Sequence, residues 1–391
     1  MNTEITPTGA PSESPSPAGA PDAPRRLRVA LVFGGRSSEH AVSCATAASV
    51  MSALDPERYD VIPIGIAKDG SWVLAPNDPE PLRLTATHIP EVDASGPSVL
   101  VPTGATARHL IVHEPGAAPR ELSEVDVVFP LLHGPFGEDG TLQGMLDLAD
   151  VRYVGSGVTA SAVMMDKHMM KVVFAAAGLP VGPYTVITDR EWLRDPEAAL
   201  DAVGALTFPV FVKPARAGSS MGISKVDSPE GLRAAVEAAR EHDPKVVVEQ
   251  GVVGREIECG VLDGHGTDEP RTSPMGECIV VQNHAFYDFE AKYLATDDIR
   301  LEAPADVSPE VAEQIAEMAV RAFTAAGCEG LARCDFFLTE TGDVIINEIN
   351  TMPGFTPSSM YPRMWAAAGL AYPELIDELI ALAMERRVGL R

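Results

Sequence analysis

Two carboxylates, a carboxamide, an arginine and a glycine fall close together late in the chain, in Arg333-Cys334-Asp335 and Glu348-Ile349-Asn350-Thr351-Met352-Pro353-Gly354. Asp335 lies in the apolar run CDFFL and Glu348 in VIINEIN, and both runs read as strands joined by the turn Glu340-Thr341-Gly342-Asp343. Residues two apart on a strand share a face, so the hairpin is expected to present Asp335, Glu348 and Asn350 together. Hard oxygen donors on a rigid hairpin suit Mg2+, which takes few protein ligands and completes its shell with substrate phosphates. The plainer account is a solvated hairpin with ordinary surface acids. An unpaired carboxylate inside an apolar strand is costly, however, and that weighs against it.

A second group of residues suits phosphate. The run Phe208-Pro209-Val210-Phe211-Val212-Lys213-Pro214 reads as a strand that delivers a lysine to the loop Arg216-Ala217-Gly218-Ser219-Ser220-Met221-Gly222. Small residues there let several backbone N–H groups face an anion. The loop is not a Walker loop, since G-x-x-x-x-G-K-[ST] is absent from the chain. Asp166-Lys167-His168 reads as part of a helix that stops at Gly178-Leu179-Pro180. A lone lysine is ordinarily a solvated charge, but Lys213 follows an apolar run and precedes a proline and a glycine loop. The strand Lys245–Glu249 then leads into Glu249-Gln250-Gly251, a hinge whose backbone could read an adenine edge.

The elements that position these groups fall into three blocks after a tail. Residues 1–26 are rich in Pro, Ser, Ala and Gly, with neither an apolar core nor a basic start, so a disordered tail is expected and a secretory signal is not. Residues 27–155 alternate strand and helix. LRVALVF is fit for a buried parallel strand, Gly34-Gly35 turns into a helix through Leu54, and DVVFPLLHG marks another strand. The dinucleotide fingerprint G-x-G-x-x-G is not met there. Glu39 at that helix start either caps it or holds an ammonium group of a small substrate. His133-Gly134-Pro135-Phe136-Gly137-Glu138-Asp139-Gly140-Thr141 has glycines that admit a ligand close to the backbone, with Asp139 and Thr141 as capping residues.

Residues 156–249 carry the lysines and the serine loop, and residues 250–391 the acidic hairpin. Within the last block, Arg255–Glu258 opens a long strand and Ala285–Tyr293 reads as an aromatic flap with Lys292 reaching inward. A helix over Ser308–Ala326 precedes the hairpin, and residues 372–385 form a closing amphipathic helix.

Composition limits the partners. The 391 residues suit two or three domains. A net charge of −26 without a lysine- and arginine-rich block argues against nucleic acid and anionic membrane. Five cysteines without metal-type spacing fit reduced thiols in a cytosol, and no run approaches a membrane span.

From Leu27 to the C-terminus the chain resembles the D-alanine–D-alanine ligases of the ATP-grasp superfamily. The resemblance is carried by FGGRSSEHAVS, HGPFGEDGTLQG, YVGSGVTASAVMMDKHMMK, VKPARAGSSMG, FYDFEAKY, LARCDFF and NEINTMPGFTPSS. It implies a mixed α/β chain of three-domain ATP-grasp architecture, with an N-terminal parallel-sheet domain ahead of two ATP-grasp subdomains. It further implies that Lys167, Lys213 and Lys292 contact the ATP phosphates under the Ser219-Ser220 loop, that Glu249 and its successors bind adenine, and that Glu256 binds ribose. Asp335, Glu348 and Asn350 would hold two Mg2+ ions, which Mn2+ could replace. Glu39 and His133 would engage the first D-alanine, and Ser359 and Met360 the carboxylate of the second. Arg333 and the N–H of Gly354 would stabilise the oxyanion, and Tyr293, Ser219 and Glu39 would share a hydrogen-bond network. The implied activity is ATP-dependent formation of D-alanyl-D-alanine for peptidoglycan, by a cytoplasmic homodimer. Ligases forming D-alanyl-D-lactate lack the flap pair found here as Lys292-Tyr293, which favours the dipeptide over the ester or another D-amino acid product.

Overall fold

The computed structural model describes residues 25–101, 109–280 and 299–388. The tail up to residue 24 and the flap residues Lys292 and Tyr293 lie outside the described residues.

Among the described residues the first sheet comprises β1 (Leu27–Gly34), β2 (Tyr59–Ile66), β3 (Trp72–Leu74), β4 (Ser98–Leu100), β5 (His109–His113), β6 (Arg120–Glu124), β7 (Val127–Pro130) and β8 (Arg152–Tyr153). Their spatial order is β6-β5-β4-β3-β2-β1-β7-β8. β1 runs parallel to β2 and β7, and β7 parallel to β8, as expected of a strand apolar along its whole length. Val29, Leu31 and Phe33 enter one core with helix α1 (His40–Ala53), while Ala30 and Val32 enter another with helix α2 (Thr141–Leu148). β3 to β6 extend this sheet antiparallel, an addition that the short and weakly alternating strands did not announce.

The second sheet has β9 (Tyr184–Ile187), β10 (Val210–Pro214), β11 (Ser224–Val226) and β12 (Val246–Gln250), antiparallel throughout in the order β11-β10-β12-β9. Val210, Val212, Val246 and Val248 pack with Trp192, Leu232 and Val236 in one core. Phe211, Lys213 and Glu249 therefore turn to the opposite face, because neighbours on a strand alternate.

The third sheet is built from β13 (Gly254–Leu262), β14 (Arg271–Thr272), β15 (Gly276–Val280), β16 (Ile299–Glu302), β17 (Leu331–Thr339) and β18 (Val344–Asn350). Its order is β16-β15-β13-β17-β18, with β14 paired to β13. Ile257, Cys259, Val261, Ala332, Cys334, Phe336 and Ile349 pack on one face. Glu256, Glu258, Arg333, Asp335, Glu348 and Asn350 share the other, by the same alternation.

Helices α3 (Val158–Met165) and α4 (Lys167–Ala176) pack on that third-sheet core, although they precede the second sheet in the chain. Asp166 is not inside a helix as the sequence suggested. It is the N-cap of α4, in extended conformation, and Oδ1 accepts from the N–H of His168 and Met169 at 3.1 and 3.2 Å. The second sheet is covered by α5 (Asp189–Arg194), α6 (Pro196–Asp201) and α7 (Leu232–Arg240). Helix α8 (Pro309–Ala326) begins at its Ser308 cap and ends at Gly327 in the left-handed region, which closes the expected helix on both sides. α9 (Met360–Ala367) follows the hairpin, and α10 (Tyr372–Glu385) spans the residues expected of it. α10 buries Leu375, Ile376, Leu379 and Ile380 against the first sheet and α1. No helix among the described residues is long and apolar enough to cross a membrane.

Phe355 pins the loop after β18 to the first sheet. It is fully buried, with ring centroids 5.8 Å from Phe129, 6.1 Å from Tyr361 and 5.6 Å from Tyr372. The Tyr372 hydroxyl donates to the carbonyl of Phe355 at 2.7 Å. Deleting a buried aromatic ring costs about 3–5 kcal/mol. Phe355→Ala is expected to lose that much in urea denaturation, and a loss under about 1 kcal/mol would show that this cluster does not hold the loop.

Candidate active site

The second and third sheets turn their charged faces, and the first sheet its loops, toward one cavity of about 470 Å3, within the range of small-molecule sites. Glu39, His133, Lys167, Lys213, Ser219, Ser220, Glu249, Glu256, Arg333, Asp335, Glu348, Asn350 and Gly354 all line it. Ser359 and Met360 do not. Met360 is buried, and Ser359 Oγ receives the N–H of Thr356 at 3.2 Å and lies 2.8 Å from the Thr356 hydroxyl.

The hairpin forms with Asp335 opposite Glu348 and Arg333 opposite Asn350. A register shift between Asp335 and Phe336 sets Phe336 against Ile346, which leaves the two carboxylates on one face. Arg333 grips Asp335 through Nε to Oδ1 and Nη2 to Oδ2, both 2.7 Å. Its Nε also lies 2.9 Å from Glu258 Oε2, off the direction of a hydrogen bond. Asn350 Nδ2 donates to Asp335 at 3.1 Å and to Glu348 at 3.4 Å. Burial pushes the Asp335 carboxyl well above the ordinary carboxylate range, and Glu258 and Glu348 add to it, against the pull of Arg333. For Arg333, Asp335 and Glu258 outweigh burial and hold the guanidinium charged.

This face therefore carries more buried negative charge than one arginine offsets. Its donors are oxygens, without His or Cys, and an all-protein metal cage of three such acidic or soft side chains is not found among the described residues. Two carboxylates and an amide fit a hard divalent cation that draws its remaining ligands from phosphate and water. The amide would present its oxygen after a half-turn of the carboxamide.

The lysines are held differently from one another. Lys213 donates to Glu249 Oε2 at 2.6 Å, and Lys171 lies 3.1 Å from Oε1 of the same carboxylate. Burial opposes the charge on Glu249, yet these two lysines hold its carboxyl down near about 2. Lys213 is raised, because Glu249 outweighs burial. Lys167 finds only the carbonyl of Ala217, at 2.8 Å, and burial lowers it despite Glu348 nearby. An arriving phosphate would favour its charged form. Sequence reading missed Lys171, whose place four residues after Lys167 on α4 was the available signal.

The serine loop leans on Glu39. Ser219 and Ser220 both adopt left-handed backbone, with φ of 45° and 57°, a strained state that costs about 1–2 kcal/mol per residue. Ser219 Oγ donates to Glu39 Oε1. Glu39 occupies the N-cap of α1 without capping it through its side chain, so the carboxylate serves the cavity. A Cβ at Gly134 or Gly218 would fall 2.5 or 2.6 Å from Glu39 Oε2, so both glycines exist as clearance for this group. At the base of the loop, Arg216 grips Asp243 bidentately at 2.8 and 2.7 Å.

His133 is buried between the Thr46 hydroxyl, 3.4 Å from Nε2, and the Met352 carbonyl, 3.3 Å from Nδ1. The neighbouring His40 receives the Val92 N–H at Nε2, so its Nδ1 carries the proton donated to Gly35 at 2.6 Å. Asp139 closes its loop by accepting from Phe136 and Thr141. Glu138, unremarked in the sequence beyond its place among paired acids, accepts from Gly134 N at 2.7 Å and Met352 N at 3.3 Å. It thereby ties the first-sheet loop to the hairpin exit. Burial, then the nearby Glu39 charge, pushes it up to about 8.

The family model described as D-ala D-ala ligase N-terminus matches residues 28–156, and the one described as D-ala D-ala ligase C-terminus matches residues 173–381. The D-alanine--D-alanine ligase of Arthrobacter sp. (strain FB24) is 63% identical over 365 residues, covering 93% of this chain and 96% of that protein. That of Streptomyces griseus is 55% identical over 389 residues, covering 97% and 98%. Among solved structures, the VanG D-Ala:D-Ser ligase from Enterococcus faecalis superposes with a TM-score of 0.79 at 35% identity, covering 92% of this chain and all of that one. The D-alanine-D-alanine ligase from Coxiella burnetii gives 0.76 at 34% identity, covering 92% and 94%.

Glu138 supplies a pH test. Its carboxyl rises from an ordinary value of 4.5 to about 8 on folding. Its stabilising contribution is therefore complete below about 4.5, declines as pH rises through the interval, and is gone above about 8. Glu138→Gln is expected to flatten the fall in urea-denaturation stability between about pH 5 and pH 8. Parallel profiles for variant and parent would refute the assignment.

Proposed function

The chain belongs to the D-alanine–D-alanine ligase family of the ATP-grasp superfamily, and from that premise we infer that it joins two D-alanines at the expense of ATP. The product, D-alanyl-D-alanine, enters peptidoglycan synthesis. The observation that carries the reading is the single cavity where lysines, the strained serine loop, Arg333 and the Asp335–Glu348 pair converge.

A carboxylate resists attack by an amine, so it must first become an acyl phosphate. The γ-phosphoryl group of ATP passes to the carboxylate of the first D-alanine, and ADP departs. The amine of the second attacks the acyl carbon and loses a proton, and the tetrahedral intermediate expels phosphate. Positioning and charge neutralisation are the protein's main contributions to such a transfer.

In the proposed assignment Lys167 and Lys213 neutralise the triphosphate, joined by Lys292, and the N–H groups around Ser219 and Ser220 cover it. The Glu249 carboxylate is committed to two lysines, so adenine falls to the backbone from Glu249 onward, and ribose to Glu256. Glu39 and His133 seat the first D-alanine, while Ser359 and the Met360 N–H at the start of α9 receive the carboxylate of the second. Arg333 and the Gly354 N–H face the developing oxyanion. Tyr293, outside the described residues, is assigned to the network of the Ser219–Glu39 hydrogen bond, which would keep water from the acyl phosphate. Asp335, Glu348 and Asn350 would hold two Mg2+, or Mn2+ in their place, which when bound withdraw charge from the transferring phosphoryl group.

The same reading places residues 27–155 as the first-substrate domain and residues 156–249 and 250–391 as the two halves that enclose ATP. It also takes the enzyme to be a homodimer in the cytoplasm, the state favoured by the family resemblance.

The deciding measurement is ADP release with ATP and Mg2+ across D-alanine, D-serine and D-lactate, with products identified by mass. D-Alanyl-D-alanine is expected as the main product. No D-alanine-dependent ADP would overturn the reading, and a dominant mixed dipeptide or ester would reassign the second substrate. Glu348→Gln is expected to abolish turnover while melting within a few degrees of the parent, and parental turnover would remove the metal assignment.

A further inference from the structure

Glu258 is a carboxylate in the cavity to which none of these roles falls. It sits on β13 opposite Asp335 of β17 on one side and Gly276 of β15 on the other. Its side chain is only 13% exposed, yet among the described residues Oε2 receives no hydrogen bond. The Arg333 Nε 2.9 Å away already donates to Asp335. A buried carboxylate oxygen in that condition is costly unless a donor arrives with a ligand.

Its surroundings indicate which ligand. Across the sheet the order is Glu258, Asp335, Glu348, so Asp335 separates Glu258 from Glu348, with Arg333 one same-face step along β17 from Asp335. On the other flank of Glu258, a Cβ at Gly276 would lie 2.5 and 2.9 Å from the sulfurs of Met360 and Met364, so this glycine lets the first turns of α9 close over the strand beside Glu258. Gly354 approaches the same helix start, since its Cβ would fall 3.2 Å from Ser359 Oγ. Glu258 thus faces the space between Arg333 and the N-terminus of α9.

On the ligase reading, on which this inference rests, that space receives the second D-alanine. This substrate brings an amino group as well as a carboxylate, and the amino group needs an acceptor near Arg333. Asp335 is taken by Arg333, Glu348 faces the metal position, Glu39 bonds Ser219, and Glu138 bonds two backbone N–H groups. Among the described residues lining the cavity, Glu258 is the carboxylate left near Arg333.

We propose that Glu258 binds the amino group of the second D-alanine, accepting its N–H at Oε2 and aiming the nitrogen at the acyl carbon beside Arg333. It is then a specificity-determining residue for amine over hydroxyl acceptors, since an attacking amine keeps an N–H for this oxygen whereas a hydroxyl that gives up its proton to attack keeps no donor.

The test is steady-state kinetics of Glu258→Gln with the two D-alanine sites resolved by their separate concentration dependence. The KM of the second D-alanine is expected to rise about tenfold or more, with the KM values for ATP and the first D-alanine within about twofold of the parent. Unchanged second-site KM overturns the proposal. So does a fall in kcat alone, which would mean that Glu258 acts only by steadying Arg333. If Glu258→Gln does not fold, Glu258→Asp, which keeps the charge but withdraws it by one methylene, is read by the same split. Failure of the parent enzyme to form dipeptide would instead sink the ligase reading.

Discussion

Charges buried around the cavity are held by counter-charges fixed in place wherever the fold supplies them, and much of the architecture follows from that constraint. Glu249 is shared by Lys171 and Lys213, and Arg333 by Asp335 and Glu258. Breaking one side of a buried pair costs about 3–5 kcal/mol, so none of these side chains drifts freely before substrate arrives. A chain with net charge −26 could not otherwise hold a triphosphate. It spends its few cations where they are fixed by carboxylates, and among the described residues Lys167 donates to a carbonyl alone. That leaves the ammonium group able to gain from an anion entering the cavity.

The sheets deliver these groups through strict alternation. Val210, Val212, Val246 and Val248 face a core, so Phe211, Lys213 and Glu249 face the cavity. Likewise Cys259 and Cys334 face α8, so Glu258, Arg333 and Asp335 face the site. A slip of one residue in either register would bury charge in the apolar core and empty the cavity of chemistry. Loops supply what alternation cannot. Glu39 comes from the first block and Ser219 from the second, and they meet only because Gly134 and Gly218 leave room for the carboxylate.

How far these features could be read from the chain depends on how local they are. The hairpin, α8 with its Ser308 cap and Gly327 stop, and α10 are written in contiguous residues, and they form as expected. Asp166 was misplaced by one step, because an N-cap and a first-turn residue carry the same composition signal. The antiparallel strands between Trp72 and Glu124 have no strong period and were not foreseen. Lys171, Glu138 and Glu258 escaped for another reason. Lys171 matters through Glu249, 78 residues on, and Glu138 through Met352; Glu258 matters through Arg333. Such pairings are set by strand register and loop packing, which no single stretch of sequence displays. Ser359 shows the converse: its motif is intact, yet its hydroxyl is engaged with Thr356.

Glu138 explains how two halves of the molecule act as one site. Glu39 and His133 reach the cavity from first-sheet loops, while Arg333 and Gly354 reach it from the third sheet and its exit. Glu138 bonds Gly134 on one side and Met352 on the other, and His133 also reaches the Met352 carbonyl. The Phe355 cluster fastens the next residues of that exit to Phe129 of β7. With its carboxyl raised to about 8, Glu138 makes this connection as a mostly neutral acid near pH 7. An ionised Glu138 would place a second negative charge beside Glu39. Neutrality lets the link hold the first-sheet loop and the hairpin exit together without adding charge beside Glu39.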